Sequence, residues 1–82
     1  MRLGRRDMNE GTIIAALRAS GRLVYQLDTP VDLLVQGPSG AVALLEVKGT
    51  KGLLTESQEH LIADGWKVHI VRSIEDAIHA SP

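Results

Sequence analysis

The sequence predicts an α/β domain in which a mixed four-stranded sheet is flanked by helices, with elements in the order α-β-β-β-α-β-α. Three observations lead there. Three aliphatic runs within residues 22–48 are joined by short turn sequences, which makes an antiparallel meander. A helical stretch separates this meander from a fourth aliphatic run, so that run returns by a right-handed crossover and lies parallel to a neighbour. Helical patterns also precede the first run and follow the last.

Residues 8–20, MNEGTIIAALRAS, place Ile13, Ile14, Ala16 and Leu17 on one helical face, and Gly21 stops the helix. RLVYQL, 22–27, is a short strand. DTP, 28–30, turns the chain, because the residue before Pro30 is pushed out of helical space. VDLLVQ (31–36), the turn GPSG (37–40) and AVALLEVK (41–48) form a hairpin. GTKG, 49–52, is a connecting loop. A second helix covers about 55–64 and ends at Gly65. Trp66 to Arg72 is the fourth strand. Ser73 caps a last helix, IEDAIHA, with acidic residues in its first turn as the helix dipole favours.

Composition narrows the function. Eighty-two residues make a single domain over 1–82, without linker, repeat or low-complexity tract. A chain of this size hides roughly 60–70% of the surface it exposes when unfolded. Its core is aliphatic, since there is no Phe, one Tyr and one Trp. The same scarcity excludes a base-stacking platform of exposed aromatics. The net charge of −1 announces no nucleic-acid partner and excludes none. Arg2, Arg5 and Arg6 form a small basic cluster, closely followed by Asp7 and Glu10. The absence of cysteine excludes disulfides and thiolate zinc sites, and fits a cytoplasmic, intracellular protein. No apolar segment follows the basic N-terminus, and none approaches the ~20 residues of a membrane span, so neither a signal peptide nor a membrane partner is expected.

Glu46 and Lys48 interrupt the most aliphatic strand. Side chains alternate along a strand, so the two share one face while Leu45 and Val47 take the other. Asp32, on the preceding strand, shares a face with Leu34 and Gln36. Counting from the hairpin turn puts it about opposite Glu46. A Glu-x-Lys in a strand is commonly a solvated ion pair of small energetic value, and Asp32 alone reads as a strand-entry residue after Pro30. Together they mean more. Two carboxylates close together in an apolar sheet repel unless a cation lies between them. Hard oxygen ligands suit Mg²⁺ or Mn²⁺, which polarises a phosphate and activates water. Lys48 is placed to orient the attacking hydroxide and to offset charge on the transition state.

Asp32, a turn, then Glu46-Val47-Lys48 resembles the core of PD-(D/E)xK nucleases, whose element order α-β-β-β-α-β also matches. The stretches VDLLV, LLEVKGTKGLLTESQ and DGWKVHIVRSIEDA resemble the virus-type replication-repair nuclease (VRR-NUC) domain. The likeness runs from about Glu10 to Ala77. Val31 departs from it, standing where the family usually has Pro. The resemblance implies a metal-dependent endonuclease for branched or structured DNA, related to phage and bacterial Holliday-junction resolvases, acting in DNA repair as a homodimer. It also implies Asp32, Glu46, Glu10 and the Val47 backbone carbonyl as metal ligands, and Gln58 beside the active site.

Glu10 and Gln58 each have a structural alternative. Glu10 pairs with Asp7 in a capping-box-like spacing, and Thr55-x-x-Gln58 fits a capping box outright. Gln58 also lies three and four residues before Leu61 and Ile62, which turns it inward, where a buried amide must find partners. Gly49, Gly52 and Lys51 suit the approach of a phosphate, although GTKG is not a Walker motif. Arg5 and Arg6 are further candidates for contact with nucleic acid.

His60 and His79 fall on polar helix sides, and His69 is a weak candidate for the sheet's polar face. The three lack zinc spacing. Ser39 has no Ser–His–Asp context. The competing expectations are a catalytically silent binding module on the same fold and a small α/β interaction protein in which Glu46 and Lys48 merely pair. A homodimer is expected on size too, because so small an aliphatic core gains from burying more surface against a twin, and Trp66 and Ile74 are interface candidates.

Overall fold

In the GPSG turn, Gly40 takes φ +92°, a left-handed conformation that glycine adopts without a Cβ clash. Gly40 N–H donates to Gly37 O at 3.0 Å and Gly37 N–H donates to Ala41 O at 2.9 Å, closing the hairpin. In the computed structural model, which describes residues 8–49 and 52–82, the hairpin is the centre of the sheet. The elements run α1 (Met8–Ala19), β1 (Leu23–Gln26), β2 (Leu33–Gln36), β3 (Val42–Val47), α2 (Glu56–Asp64), β4 (Val68–Val71) and α3 (Ile74–Ala80). The sheet order is β1-β2-β3-β4. The first two pairings are antiparallel and the third is parallel, as the turn lengths and the crossover require.

All four strands are shorter than the sequence pattern predicts, β2 and β4 by two residues at their starts. Strand β4 starts at Val68 because the Trp66 N–H is taken up by Leu61 O at 3.1 Å, at the end of α2. Strand β2 starts at Leu33, although the Asp32 carbonyl still accepts from Leu27 N–H at 2.7 Å and so prolongs the β1 pairing.

The core lies on one face of the sheet. Leu33 and Val35 of β2, Leu45 and Val47 of β3 and Val71 of β4 are buried against Ile13, Ile14 and Leu17 of α1 and Ala77 of α3. Every one is aliphatic, as the composition requires. Val31 is also buried, so at this position the chain uses an apolar side chain for packing. The opposite face carries Leu34, Leu44, Glu46 and Ile70. There Glu59 of α2 lines a cleft together with Lys48 and Ile70.

The helix ends follow their expected chemistry. Thr55 and Gln58 form a reciprocal capping box on α2, and Ser73 Oγ accepts from Asp76 N–H at 3.0 Å on α3. Gly21 and Gly65 end α1 and α2 with positive φ. No helix among the described residues is long and apolar enough to cross a membrane.

Leu45 is fully buried at the middle of the sheet. Leu45→Ala is expected to cost about 2–5 kcal/mol. In a domain of this length, thermal denaturation should show a melting temperature lower by roughly 10 °C or more.

Candidate active site

The hairpin ladder runs from Gln36 opposite Val42 to Leu33 opposite Leu45. One step further sets Asp32 opposite Glu46, on the face away from the core. Two hydrogen bonds cross between the strands there. Asp32 N–H donates to Glu46 Oε1 at 3.1 Å, and Val47 N–H donates to Asp32 Oδ2 at 2.9 Å. Each carboxylate is therefore held by the other's strand. Lys48 shares the face of Glu46 and brings its Nζ to 3.2 Å from Glu46 Oε2. The two side chains are only 14% and 7% exposed, for Lys48 and Glu46 respectively. Desolvating such charges is costly unless they are paired and hydrogen-bonded, and both oxygens of Glu46 are so engaged.

Gln58 is 4% exposed; it completes the capping box and is turned inward, as its spacing predicts. Its Oε1 accepts from Thr55 N–H at 3.0 Å, within the capping box, while Nε2 donates to Pro30 O at 3.0 Å. Pro30 stands two residues before Asp32, so this one amide ties α2 to the segment that presents the carboxylate.

Glu10 is 3% exposed and accepts from Gln26 Nε2 at 3.4 Å. Gln26 pairs with Leu33, which puts this contact on the α1 side of the sheet. Asp32 and Glu46 meet as a pair. No group of three or more His, Cys, Asp or Glu among the described residues is placed to hold a metal ion.

Among the described residues, four polar or charged side chains are buried: Glu10, Glu46, Gln58 and Ser81. The first three are those singled out in the sequence. Ser81 donates through Oγ to Ala77 O at the end of α3, an ordinary helix-end contact.

The histidines do not join this cluster. His60 and His79 are exposed. His69 pairs with Leu45 and so faces the α1 side, which corrects its expected place on the polar face; alternation alone does not say which face a residue takes. Arg5, Arg6 and Lys51 lie outside the described residues. Gly49 and Gly52 are described, and Gly52 N–H donates to Gly49 O at 3.1 Å. Beside them a cleft of about 470 Å³ is lined by Lys48, Gly52, Leu53, Leu54, Ile70 and Arg72.

Arg72 is the residue the sequence pattern left unassigned. Its guanidinium donates to the carbonyls of Gly49 and Gly52. Its position just after an apolar strand, parallel to the one that leads into Lys48, was the available signal. The contact partners themselves are visible only in three dimensions.

No family model matches the chain, and no curated protein does. A solved structure of a VRR_NUC domain is similar, with a TM-score of 0.62 and 25% identity, covering 89% of this chain and 94% of that one. The order of elements agrees with that likeness: the chain has the fold of the virus-type replication-repair nuclease domain, a nuclease-type fold, as its sequence resemblance implies.

Proposed function

We propose that the chain is a metal-dependent endonuclease that hydrolyses phosphodiester bonds in DNA, with branched DNA of the four-way-junction kind as substrate. The observation that carries this reading is the interlocked pair Asp32 and Glu46 with the Lys48 ammonium 3.2 Å from Glu46, all on one sheet face. A merely solvated ion pair would not be buried or bound to a second carboxylate's backbone.

The donor set fits a hard divalent cation. Asp32 and Glu46 would hold Mg²⁺ or Mn²⁺, helped by the Val47 carbonyl, and the two carboxylates leave positions open for water and phosphate. The bound cation would polarise the phosphate and raise the acidity of a water molecule. Lys48 donates to Glu46 with part of its ammonium and keeps further donor capacity for the attacking water or a phosphoryl oxygen. Gln58 keeps Asp32 in register by holding Pro30. Glu10 belongs to the reading as an additional carboxylate, and Gly49, Gly52, Lys51, Arg5 and Arg6 as contacts to the DNA backbone. The working unit is a homodimer, so that paired strands of a junction meet two sites. Trp66 and Ile74, 60% and 38% exposed, are its interface candidates.

Lys48→Ala is expected to lower the cleavage rate about 10²–10³-fold or more, as removal of a transition-state donor does. Glu46→Gln should be as inactive while remaining folded, because its amide oxygen still accepts from Asp32 N–H. Gel assays on labelled junction, flap and linear duplex with Mg²⁺ or Mn²⁺ would show it. A wild-type protein that cuts none of these, or either variant cutting at the wild-type rate, would refute the reading.

Asp32→Asn keeps an oxygen for Val47 N–H but loses the charge. Calorimetry should show weaker Mn²⁺ binding for it, and Glu10→Gln measured alongside tells whether Glu10 contributes. Unchanged affinity in Asp32→Asn would place the metal elsewhere.

Sedimentation equilibrium should give a mass near twice the 8.9 kDa of the chain. A monomer mass would end the dimer proposal.

A further inference from the structure

We infer that Arg72 is a positioning residue for Lys48, acting through the backbone turn formed by Gly49 and Gly52. The inference rests on the nuclease reading for its effect on catalysis, though not for the contacts themselves.

The chain of contacts is short. Arg72 follows β4, and its backbone is fastened on both sides. Its N–H donates to Asp76 Oδ2 at 2.9 Å, from the first turn of α3, and its carbonyl accepts from Asn9 Nδ2 of α1 at 2.9 Å. Two helices thus fix where its side chain starts. The guanidinium spans the turn after β3, with Nη1 donating to Gly49 O and Nη2 to Gly52 O, the latter at 3.3 Å. A planar fork with fixed donor directions suits two carbonyls held a set distance apart, which a lysine ammonium does not reproduce.

Gly52 is where this reaches the ammonium-bearing side chain. A Cβ added there would stand 2.9 Å from both Cβ and Cδ of Lys48, closer than atoms of this kind approach. The Gly52 backbone therefore rests directly on the Lys48 stem. The Lys48 backbone is held by donation of its N–H to Val71 O at 3.0 Å, one residue before Arg72. Its stem is held by Gly52 and its head by Glu46 at 3.2 Å. Without the Arg72 fork, the Gly52 backbone loses its tie to α1 and α3, and the Lys48 stem gains freedom between its two anchored ends.

A second role for an arginine beside a phosphate site is a plain positive charge toward DNA. The two roles differ in what Arg72→Lys does. That variant keeps the charge and loses the fork. The clamp predicts that Arg72→Lys and Arg72→Ala both lower kcat about 10- to 100-fold, as misplacement of a catalytic group does. It also predicts that KM for DNA stays within about twofold, since uniform binding is not what is lost. A charge role predicts a raised KM in Arg72→Ala and near-wild-type behaviour in Arg72→Lys.

The deciding measurement is made without DNA. Carbon relaxation at Lys48 Cε in labelled, DNA-free protein should show a more mobile side chain in both Arg72 variants than in wild type. If Arg72→Ala does not fold, Arg72→Lys carries the test. Gly52→Ala, which pushes on Lys48 directly, should also displace the Lys48 signals and lower kcat. Unchanged Lys48 relaxation in the folded Arg72 variant overturns the inference, as does full kcat in Arg72→Lys. A wild-type protein without cleavage on any DNA overturns the nuclease reading instead, and the relaxation result still decides the clamp.

Discussion

The register of the β2–β3 hairpin is the constraint on which the rest of the molecule depends. Gly37 and Gly40 set it through two turn hydrogen bonds, and the ladder then counts residue by residue to Leu33 opposite Leu45 and Asp32 opposite Glu46. Because side chains alternate, a slip by one residue would send Leu33 and Val35 to the polar face and Asp32 into the aliphatic core. The core and the charged cluster are thus enforced by the same pairing. Burial of Leu33, Val35, Leu45 and Val47 holds the register from below, and the Asp32–Glu46 and Asp32–Val47 hydrogen bonds lock it at the far end.

That arrangement explains why so small a domain tolerates opposite charges in its most aliphatic strand. A lone buried carboxylate would be a large liability for a chain of this size, whose total stability is of the order of 5–15 kcal/mol. Glu46 avoids this by having each oxygen engaged, one by Asp32 N–H and one by Lys48. Such a network replaces lost hydration but adds little net stability over an aliphatic alternative. Leucine or valine at position 46 would cover that face without burying a charge. A glutamate there, beside a second carboxylate, is what the proposed metal-dependent hydrolysis calls for.

Most of this was legible in the sequence because it is local. Strand alternation, a four-residue turn and helix-capping residues at fixed spacing are short-range signals, and together they placed Asp32, Glu46 and Lys48 on one face. Thr55 and Gln58 were readable for the same reason, and the inward direction of Gln58 followed from its spacing to Leu61 and Ile62. Its acceptor, Pro30 O, was not readable, since no local pattern announces a contact between residues 28 positions apart. Arg72 was missed on similar grounds: its partners are backbone carbonyls, which every residue has, and its distance from them in sequence is 20 and 23 positions. The face of His69 was open because alternation fixes relative and not absolute orientation. The shortened start of β4 came from the Trp66 amide being spent on the helix before it, a competition that strand propensity does not register.

The two halves of the cluster are therefore held by different kinds of contact. Asp32 and Glu46 are joined within one hairpin, so their mutual geometry survives as long as that hairpin does. Lys48 lies one residue beyond β3, at the point where the hairpin's own pairing has stopped. Its backbone relies on β4 through Val71, and its stem on Gly52, which Arg72 ties to the start of α3 and, through Asn9, to α1. Small changes in helix packing thus reach the ammonium before they reach the carboxylates. The carboxylate pair is set locally, within one hairpin, whereas the position of the ammonium beside it depends on contacts from β4, α1 and α3.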